Sequence, residues 1–241
     1  MKKLFFLFTV TFLLFSVTGF AFKKKTKTLL VFSYTQKYRH KSIEIAKESL
    51  SKLAKDKGYQ IDFSENPNDF TSEFLKKYNV LIFLNPTGTN VFTDEQKVAF
   101  KKYINNGGGY VGIHAATDFC YEWEWYGKLV GAFFINHPKI QEAKIKVSNN
   151  KHLSTRHLSN EFRYTDEWYN FKNVNPNINV LLELDESSYT GGTMNGKHPI
   201  SWYHEFDGGK VFYTGLGHRN ECYSDSLFLK HLEGGIEYVL K

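Results

Sequence analysis

The 241-residue chain is poor in cysteine, methionine and proline, with two, two and five of them. Two cysteines are too few for the disulfide framework of a small secreted domain or for a four-cysteine zinc site. No H-E-x-x-H or H-x-x-x-H spacing is present either, so no pair of histidines is set to bind a metal from one helical face. A metal site in this chain therefore depends on residues that only the fold brings together.

The sequence also lacks an extended basic surface. Its formal net charge is +6, and Lys2 and Lys3 supply part of it. Apart from residues 23–25, a lysine tract that we interpret as a solvated tail, no basic cluster forms a stripe that would follow a phosphate backbone. We predict neither a nucleic-acid partner nor a nucleotide cofactor.

The N-terminus has the pattern of a secretory signal peptide. Lys2 and Lys3 precede an apolar run from Leu4 to about Val17, and the small residues Gly19 and Ala21 precede the expected cleavage site after Ala21. We predict a signal peptide over residues 1–21 and an exported, periplasmic or extracellular protein with no stable membrane insertion after cleavage. An uncleaved N-terminal anchor is the alternative, which is disfavoured because the apolar run is short for a membrane span.

Cys120 and Cys222 both follow predicted strands. In an oxidising compartment they could form one disulfide, and the alternative is a pair of buried, unpaired thiols.

The first half of the chain alternates strands and helices. Apolar strands are predicted at 28–33, 59–63, 79–84 and 110–114, with helices after the first strand and from Thr93. Gln96 stands three residues after Thr93, the spacing of a capping box. After residue 138, shorter alternating segments predict a mixed or antiparallel extension. We expect a three-layer α/β fold with a mainly parallel sheet, helices on both faces, and a single domain over 22–241.

The final segment, residues 224–240, has apolar residues at helical spacing and should pack across the sheet. Gly234 and Gly235 are expected to weaken that helix locally.

Polar residues follow several of the predicted strands, where open α/β sheets bind ligands. His40, His114 and Asp118, and His218 with Arg219 lie in three such loops. A single histidine near a strand end is more often a hydrogen-bonded structural residue, but several such loops together favour a binding edge.

The ordered motifs resemble the ThuA-like family, named for trehalose utilisation, whose fold is related to class I glutamine amidotransferases and flavodoxin. The resemblance spans Leu29 to Leu240 and includes His40. Its longer motifs are GGGYVGIHAATD (107–118), YGKLVGAFFINHP (126–138), TDEWY (165–169) and HPISWYHEFDGGKVFYTGLGH (198–218).

The resemblance also implies what this chain does not do. Amidotransferases carry their cysteine nucleophile in a G-x-C-x-G elbow, where this chain has Gly112-Ile113-His114-Ala115-Ala116. His114 replaces the thiol, and the later His218 is not followed by glutamate at the usual spacing. We therefore expect no glutaminase activity, and a residual amidotransferase would need Cys120 within reach of His218.

Candidate roles follow from residue chemistry and the resemblance together. The predicted catalytic residues are His114, His218, Asp118 and Glu167. The predicted substrate-binding residues are His40, His137, Asp166, Trp202 and Arg219. Imidazoles titrate near neutral pH and also bind zinc-like ions, so His114, His218 and His137 are candidate ligands of one divalent metal.

Each role has a structural alternative. Asp166-Glu167 could begin a helix or a turn, and His137-Pro138 could form a rigid turn. Trp202 could belong to the ordinary core, and Arg219 could simply pair with Glu221.

The family resemblance implies an enzyme of carbohydrate catabolism that acts on a glycoside or a 3-keto-sugar as a lyase, hydrolase or isomerase. The alternative is a noncatalytic sugar-binding protein with the same fold. Histidine geometry separates the two. If His114, His137 and His218 point into one pocket with a carboxylate, catalysis is favoured, and if they are dispersed and individually bonded to backbone, the binding protein is favoured.

Overall fold

The computed structural model describes residues 26–241. The predicted signal peptide, residues 1–21, lies outside the described residues. Within 26–241, no helix combines the length and the apolar character that crossing a membrane requires.

Strands and helices alternate in the first half of the chain. The elements there are β1 (Thr28–Phe32), α1 (Ser42–Lys57), β2 (Gln60–Ser64), α2 (Ser72–Leu75), β3 (Val80–Leu84), α3 (Asp94–Asn105) and β4 (Gly109–Ile113). The second half contains α4 (Glu124–Val130), β5 (Phe133–Asn136), β6 (Gln141–Val147), β7 (Glu161–Asp166), β8 (Asn170–Lys172), β9 (Asn179–Leu184), β10 (His198–Phe206), β11 (Gly209–Thr214) and α5 (Ser226–Val239).

Nine strands form one sheet in the order β2-β1-β3-β4-β11-β10-β9-β6-β7. The first five are parallel to one another. From β11 onward every neighbouring pair is antiparallel, and β5 pairs with β8 in a separate two-stranded sheet. This arrangement confirms the predicted mainly parallel sheet with an antiparallel extension.

Helices cover both faces of the parallel region. On one face α1 lies beside α5, and Lys57 pairs with Glu233 and Glu237. On the other face Phe100 of α3 packs against Trp125 of α4. The strands between these layers are fully buried, as in β3 and β4, which explains why their sequences are nearly continuous apolar runs.

Two local predictions have different outcomes. The capping box forms, with the Thr93 hydroxyl accepting from Gln96 N and the Gln96 side chain accepting from Thr93 N. The local weakening expected at Gly234 and Gly235 stays a prediction, and the two glycines do not interrupt α5, which continues to Val239. A Cβ on Gly235 would lie 2.3 Å from the Phe212 ring, so this glycine allows α5 to approach β11 closely.

The polar strand β7 was not predicted, and Asp166-Glu167 does not begin a helix. The strand β7 pairs with β6, with Gln141 opposite Asp166, and its first four residues alternate between exposed and half-buried. Four antiparallel pairings separate β7 from β11, so the two strands run in the same direction. β7 therefore ends at the same edge as the parallel strands.

In a flat sheet four strand spacings would place β7 about 19 Å from β11. Instead, a carboxylate oxygen of Asp166 accepts a hydrogen bond from Gly217 N at 2.8 Å, just after β11. The antiparallel extension must therefore curl over the carboxyl edge of the parallel strands. This curl brings Glu167 to the loops that follow β1, β4 and β11.

Candidate functional site

His114 sits on a tight turn directly after β4. Its φ is +44°, a left-handed conformation that non-glycine residues rarely adopt. Its carbonyl accepts a hydrogen bond from the Tyr213 hydroxyl at 2.8 Å, which holds the turn in place. A Cβ on Gly112 would lie 3.1 Å from that of Ala116, so the small residues around His114 are needed for the turn.

The His114 ring is oriented by the backbone. Its Nδ1 lies 2.8 Å from the carbonyl oxygen of Gly215, which can only accept, so Nδ1 carries the hydrogen. In the neutral ring Nε2 then presents a lone pair. That atom lies 3.1 Å from His218 Nδ1 and 3.4 Å from a carboxylate oxygen of Glu167.

Glu167 joins an inner and an outer part of the site. One carboxylate oxygen, Oε2, lies 3.0 Å from His218 Nδ1, and the other, Oε1, lies 3.0 Å from Nδ1 of the exposed His137. Burial opposes ionisation of this carboxyl, but the neighbouring His114 and His218 outweigh it and hold the pKa of Glu167 well below its usual range. Glu167 is therefore a carboxylate at neutral pH.

His40 completes the inner part. Its ring centroid lies 5.1 Å from those of His114 and His218, edge to face. The side chain is buried, and its Nδ1 has no hydrogen-bond partner among the described residues. Burial, followed by the neighbouring histidines, lowers the pKa of His40 to about 2, so its ring is neutral.

We call these four residues, His40, His114, Glu167 and His218, the inner cluster. Each offers one ligand atom, and those atoms lie within 4.8 Å of one another, so the group could hold a metal ion. The sequence-based ligand set differs from this group. It contained His137, which lies on the outer oxygen of Glu167, and it placed His40 with the substrate and Glu167 with the catalytic residues.

The two aspartates have different surroundings. Asp118 is half-buried and accepts a hydrogen bond from the Tyr121 hydroxyl at 2.7 Å, and burial raises the pKa of its carboxyl. Asp166 is fully buried and accepts from the backbone N–H groups of Gly217 and Arg219. Asp166, which we expected to bind substrate, instead holds the loop that carries His218.

Arg219 and Trp202 were also predicted to contact substrate. The Arg219 guanidinium lies 3.2 Å from Glu221 and 3.3 Å from the Thr165 carbonyl, at the edge of the site. Trp202 is fully buried, donates to the Val130 carbonyl and stacks on Tyr213. The structure thus places Trp202 in the core.

Of the two alternatives for the cysteines, the described residues show the second, with Cys120 and Cys222 as buried free thiols. The Cys222 thiol instead contacts the Asp166 carboxylate at 3.3 Å, and the Cys120 backbone N–H donates to Gly88. Burial raises the pKa of the Cys120 thiol, which opposes formation of a nucleophilic thiolate.

Two further residues support the site and were not assigned to it from the sequence. Asn85, at φ +49°, links three loops through Ser42 Oγ, Ala115 N and the Gly217 carbonyl. The Tyr169 ring covers His114 at a centroid distance of 4.1 Å. The position of an asparagine directly after an apolar strand was the available signal for Asn85, because asparagine tolerates positive φ.

A depression of about 210 Å³ borders the site. Its lining residues are Tyr38, Lys41, Ile140, His218, Arg219, Asn220 and Glu221. Four larger clefts, of about 450 to 540 Å³, lie elsewhere on residues 26–241, and none of them is lined by a histidine. Among these five cavities, the small depression is therefore the one lined by a residue of the inner cluster, His218.

Comparison with known proteins gives a family and several related structures. The ThuA family model, described as trehalose utilisation, matches residues 28–239. A ThuA-like protein from Bacteroides uniformis is 28% identical, with a TM-score of 0.74 and coverage of 89% of this chain and 92% of the other. A second, from Parabacteroides merdae, is 19% identical, with a TM-score of 0.73 and 90% coverage of each chain.

A more distant structure shares the fold. A protein described as a GMP synthase component from Thermoplasma acidophilum is 12% identical, with a TM-score of 0.52 and coverage of 88% of this chain and 96% of the other. Among curated proteins, none matches the sequence.

Proposed function

The chain belongs to the ThuA trehalose-utilisation family, and we propose that it is an exported enzyme of carbohydrate catabolism that acts on a glycoside or a 3-keto-sugar. Family membership itself indicates a carbohydrate-related function. The proposed reaction is a lyase, hydrolase or isomerase step, in which a proton is moved on or off a sugar carbon or oxygen.

One observation carries the proposal: His114, His218 and His137 all face the carboxylate of Glu167. Sugar binding alone does not require three imidazoles around a mostly buried carboxylate, because hydroxyl groups are bound well by amides and single carboxylates. Such a set does suit proton transfer. His137 is exposed and lies at the outer end, so it is the imidazole placed to exchange a proton with substrate.

The two carboxyl groups beside the histidines have opposite pKa shifts. That of Glu167 is lowered by its histidine neighbours, and that of Asp118 is raised by burial. Environments that push two carboxyl pKa values apart are typical of acid and base pairs. This difference supports Glu167 as the permanent anion and Asp118 as the group that more readily carries a proton.

The depression beside His218 supplies surfaces suited to a sugar. The Tyr38 ring is 57% exposed at its rim and offers an apolar face to a pyranose. Arg219, Asn220 and Glu221 offer hydrogen-bonding groups on the other side. We propose that the sugar lies here, with its reactive end toward His218 and His137.

The proposal is tested by incubating the purified protein with trehalose and, separately, with its 3-keto derivative, and by following products by NMR. We expect consumption of the keto-sugar. In Glu167→Gln we expect a loss of turnover of about 10²- to 10⁴-fold, the usual contribution of an acid or base, because the histidines that exchange protons lose the anion they face. Glu186→Gln is the matched control, since Glu186 contacts His198 outside the inner cluster.

Binding of either sugar without turnover of any tested glycoside or keto-sugar would favour the noncatalytic sugar-binding alternative. Equal turnover in wild type and Glu167→Gln would contradict the proposed role of this carboxylate.

A further inference from the structure

We propose that the inner cluster binds one divalent transition-metal ion of the zinc type. The ligands are His40, His114, His218 and Glu167. This inference rests on the proposed function for the role of the ion, and it rests on the cluster alone for binding.

The first argument is the convergence of lone pairs. Because the Gly215 carbonyl fixes the hydrogen of His114 on Nδ1, its Nε2 lone pair points to an oxygen of Glu167 at 3.4 Å. His218 Nδ1 lies 3.1 Å from this Nε2 and 3.0 Å from the same oxygen, but it can donate its one hydrogen fully to only one of the two acceptors, so a second proton or a cation is needed between them. A backbone carbonyl that orients one histidine nitrogen while the other faces inward is also the usual arrangement of a metal-binding histidine.

The second argument is the orphaned ring of His40. The side chain is only 3% exposed, and its Nδ1 has no partner among the described residues. A buried ring nitrogen without a hydrogen bond is costly. Coordination to an ion shared with His114 and His218, whose rings lie about 5 Å away, would compensate for that cost.

The ligand types select the class of ion. Three imidazoles and one carboxylate suit zinc, manganese, iron, cobalt or nickel, whereas calcium and magnesium prefer oxygen ligands. No cysteine is in the cluster, which disfavours copper(I). An ion that accepts five or six ligands would keep positions for water or a sugar oxygen, which it could polarise.

His137 has a different role in this arrangement. Its Nδ1 lies 3.0 Å from Oε1 of Glu167, while Oε2 faces the inner histidines. A histidine on the outer oxygen of a coordinating carboxylate orients that ligand, and loss of such a partner usually costs 10- to 100-fold in metal affinity, roughly. This separates the proposed ligand set from one that contains His137.

The experiment uses the purified full chain, stripped with EDTA and titrated with ZnCl₂ by calorimetry, without sugar. We expect one zinc per chain, and visible d–d absorption when CoCl₂ replaces ZnCl₂. His40→Ala should weaken zinc binding by more than about 100-fold, and His137→Ala by about 10- to 100-fold or less. His204→Ala is the matched control, because His204 is another buried histidine whose Nδ1 has no partner within residues 26–241. This variant should bind zinc as wild type does.

Circular dichroism checks that each variant folds, and His218→Ala, whose ring is partly exposed, replaces His40→Ala if that variant unfolds. The inference is overturned if wild type shows no saturable zinc binding, or if His40→Ala and His218→Ala bind zinc as tightly as wild type. Sugar turnover that persists in the EDTA-stripped protein would leave the proposed function standing without the ion. Zinc binding without sugar turnover would leave the metal site standing without the proposed function.

Discussion

Two groups of histidine and glutamate side chains in this molecule differ in how their polar atoms are hydrogen-bonded. In one, His198 lies between the Tyr169 carbonyl, the Tyr189 hydroxyl and Glu186, while Glu186 also accepts from the backbone N–H groups of Met194 and Gly196. In the inner cluster, His40 Nδ1 has no hydrogen-bond partner among residues 26–241. The same residue types serve structure at the first group and remain available for chemistry at the second.

The difference shows why burial alone is a poor guide to function. A polar group whose atoms all pair within the chain stabilises the fold, whereas a group that keeps unpaired atoms reduces stability in exchange for a binding or reactive surface. The two groups also touch, because His198 holds the Tyr169 backbone and the Tyr169 ring covers His114.

Among the variants that test the difference between the two groups, His198→Ala is expected to have the largest effect on stability. This change leaves the Tyr169 carbonyl and the Tyr189 hydroxyl without this buried partner, so we expect the free energy of unfolding to fall by about 1 to 3 kcal/mol for each of these two groups. Urea unfolding measures it. His40→Ala, at an equally buried ring without a hydrogen bond at Nδ1, should cost clearly less in metal-free protein. An equal loss for the two variants would remove the distinction.

Trp202→Phe tests the boundary of the site. The change removes the indole N–H that the Val130 carbonyl accepts at 2.9 Å, so we expect a loss of about 1 to 3 kcal/mol in the free energy of unfolding. The KM for the keto-sugar should not change, because Trp202 lies in the core. A rise in KM without a loss of stability would return Trp202 to the substrate site.

His231, another buried histidine, extends the comparison to the pH dependence of stability. Burial lowers the pKa of His231 to about 3, against about 6.5 in the unfolded chain. Below pH 6.5 the unfolded state binds the extra proton, so stability falls as the pH decreases toward 3. We expect His231→Gln to flatten this dependence by up to about 1.4 kcal/mol per pH unit, measured by urea unfolding between pH 6.5 and 4.5. An unchanged slope would contradict this source of acid sensitivity.

The parallel half of the fold was predictable because both faces of its strands are buried. Strands such as β3 therefore appear as uninterrupted apolar runs, and Thr93 with Gln96 marks a helix start. The polar edge strand β7 was missed, since its sequence has only two aromatic residues among charged and polar ones and no continuous apolar run. Glu167 could be named from the family motif, but its position beside His114 depends on the curl of β7 over the sheet edge, which no local pattern encodes.

The candidate site residues also divide into those whose side chains meet at the site and those that bond to the backbone. His114 and His218 follow buried strands, and the fold places their ring nitrogens 3.1 Å apart. Trp202 and Asp166 belong to the same motifs, yet their partners are the backbone of Val130 and of Gly217. A motif shows that a residue matters to the family and does not show whether its side chain faces substrate or core.

The most direct test of the difference between the two groups is the free energy of unfolding of Glu186→Gln and Glu167→Gln in metal-free protein. Both changes replace a carboxylate by an amide of the same shape. We predict a loss of about 1 to 3 kcal/mol for Glu186→Gln, because its oxygens accept from Met194 N and Gly196 N. Glu167→Gln should cost clearly less: it loses the histidine contacts that hold the Glu167 pKa low, but it leaves no backbone N–H without an acceptor. If Glu167→Gln destabilises the protein as much as Glu186→Gln does, the inner cluster is a structural group and the account of it as the working site is wrong.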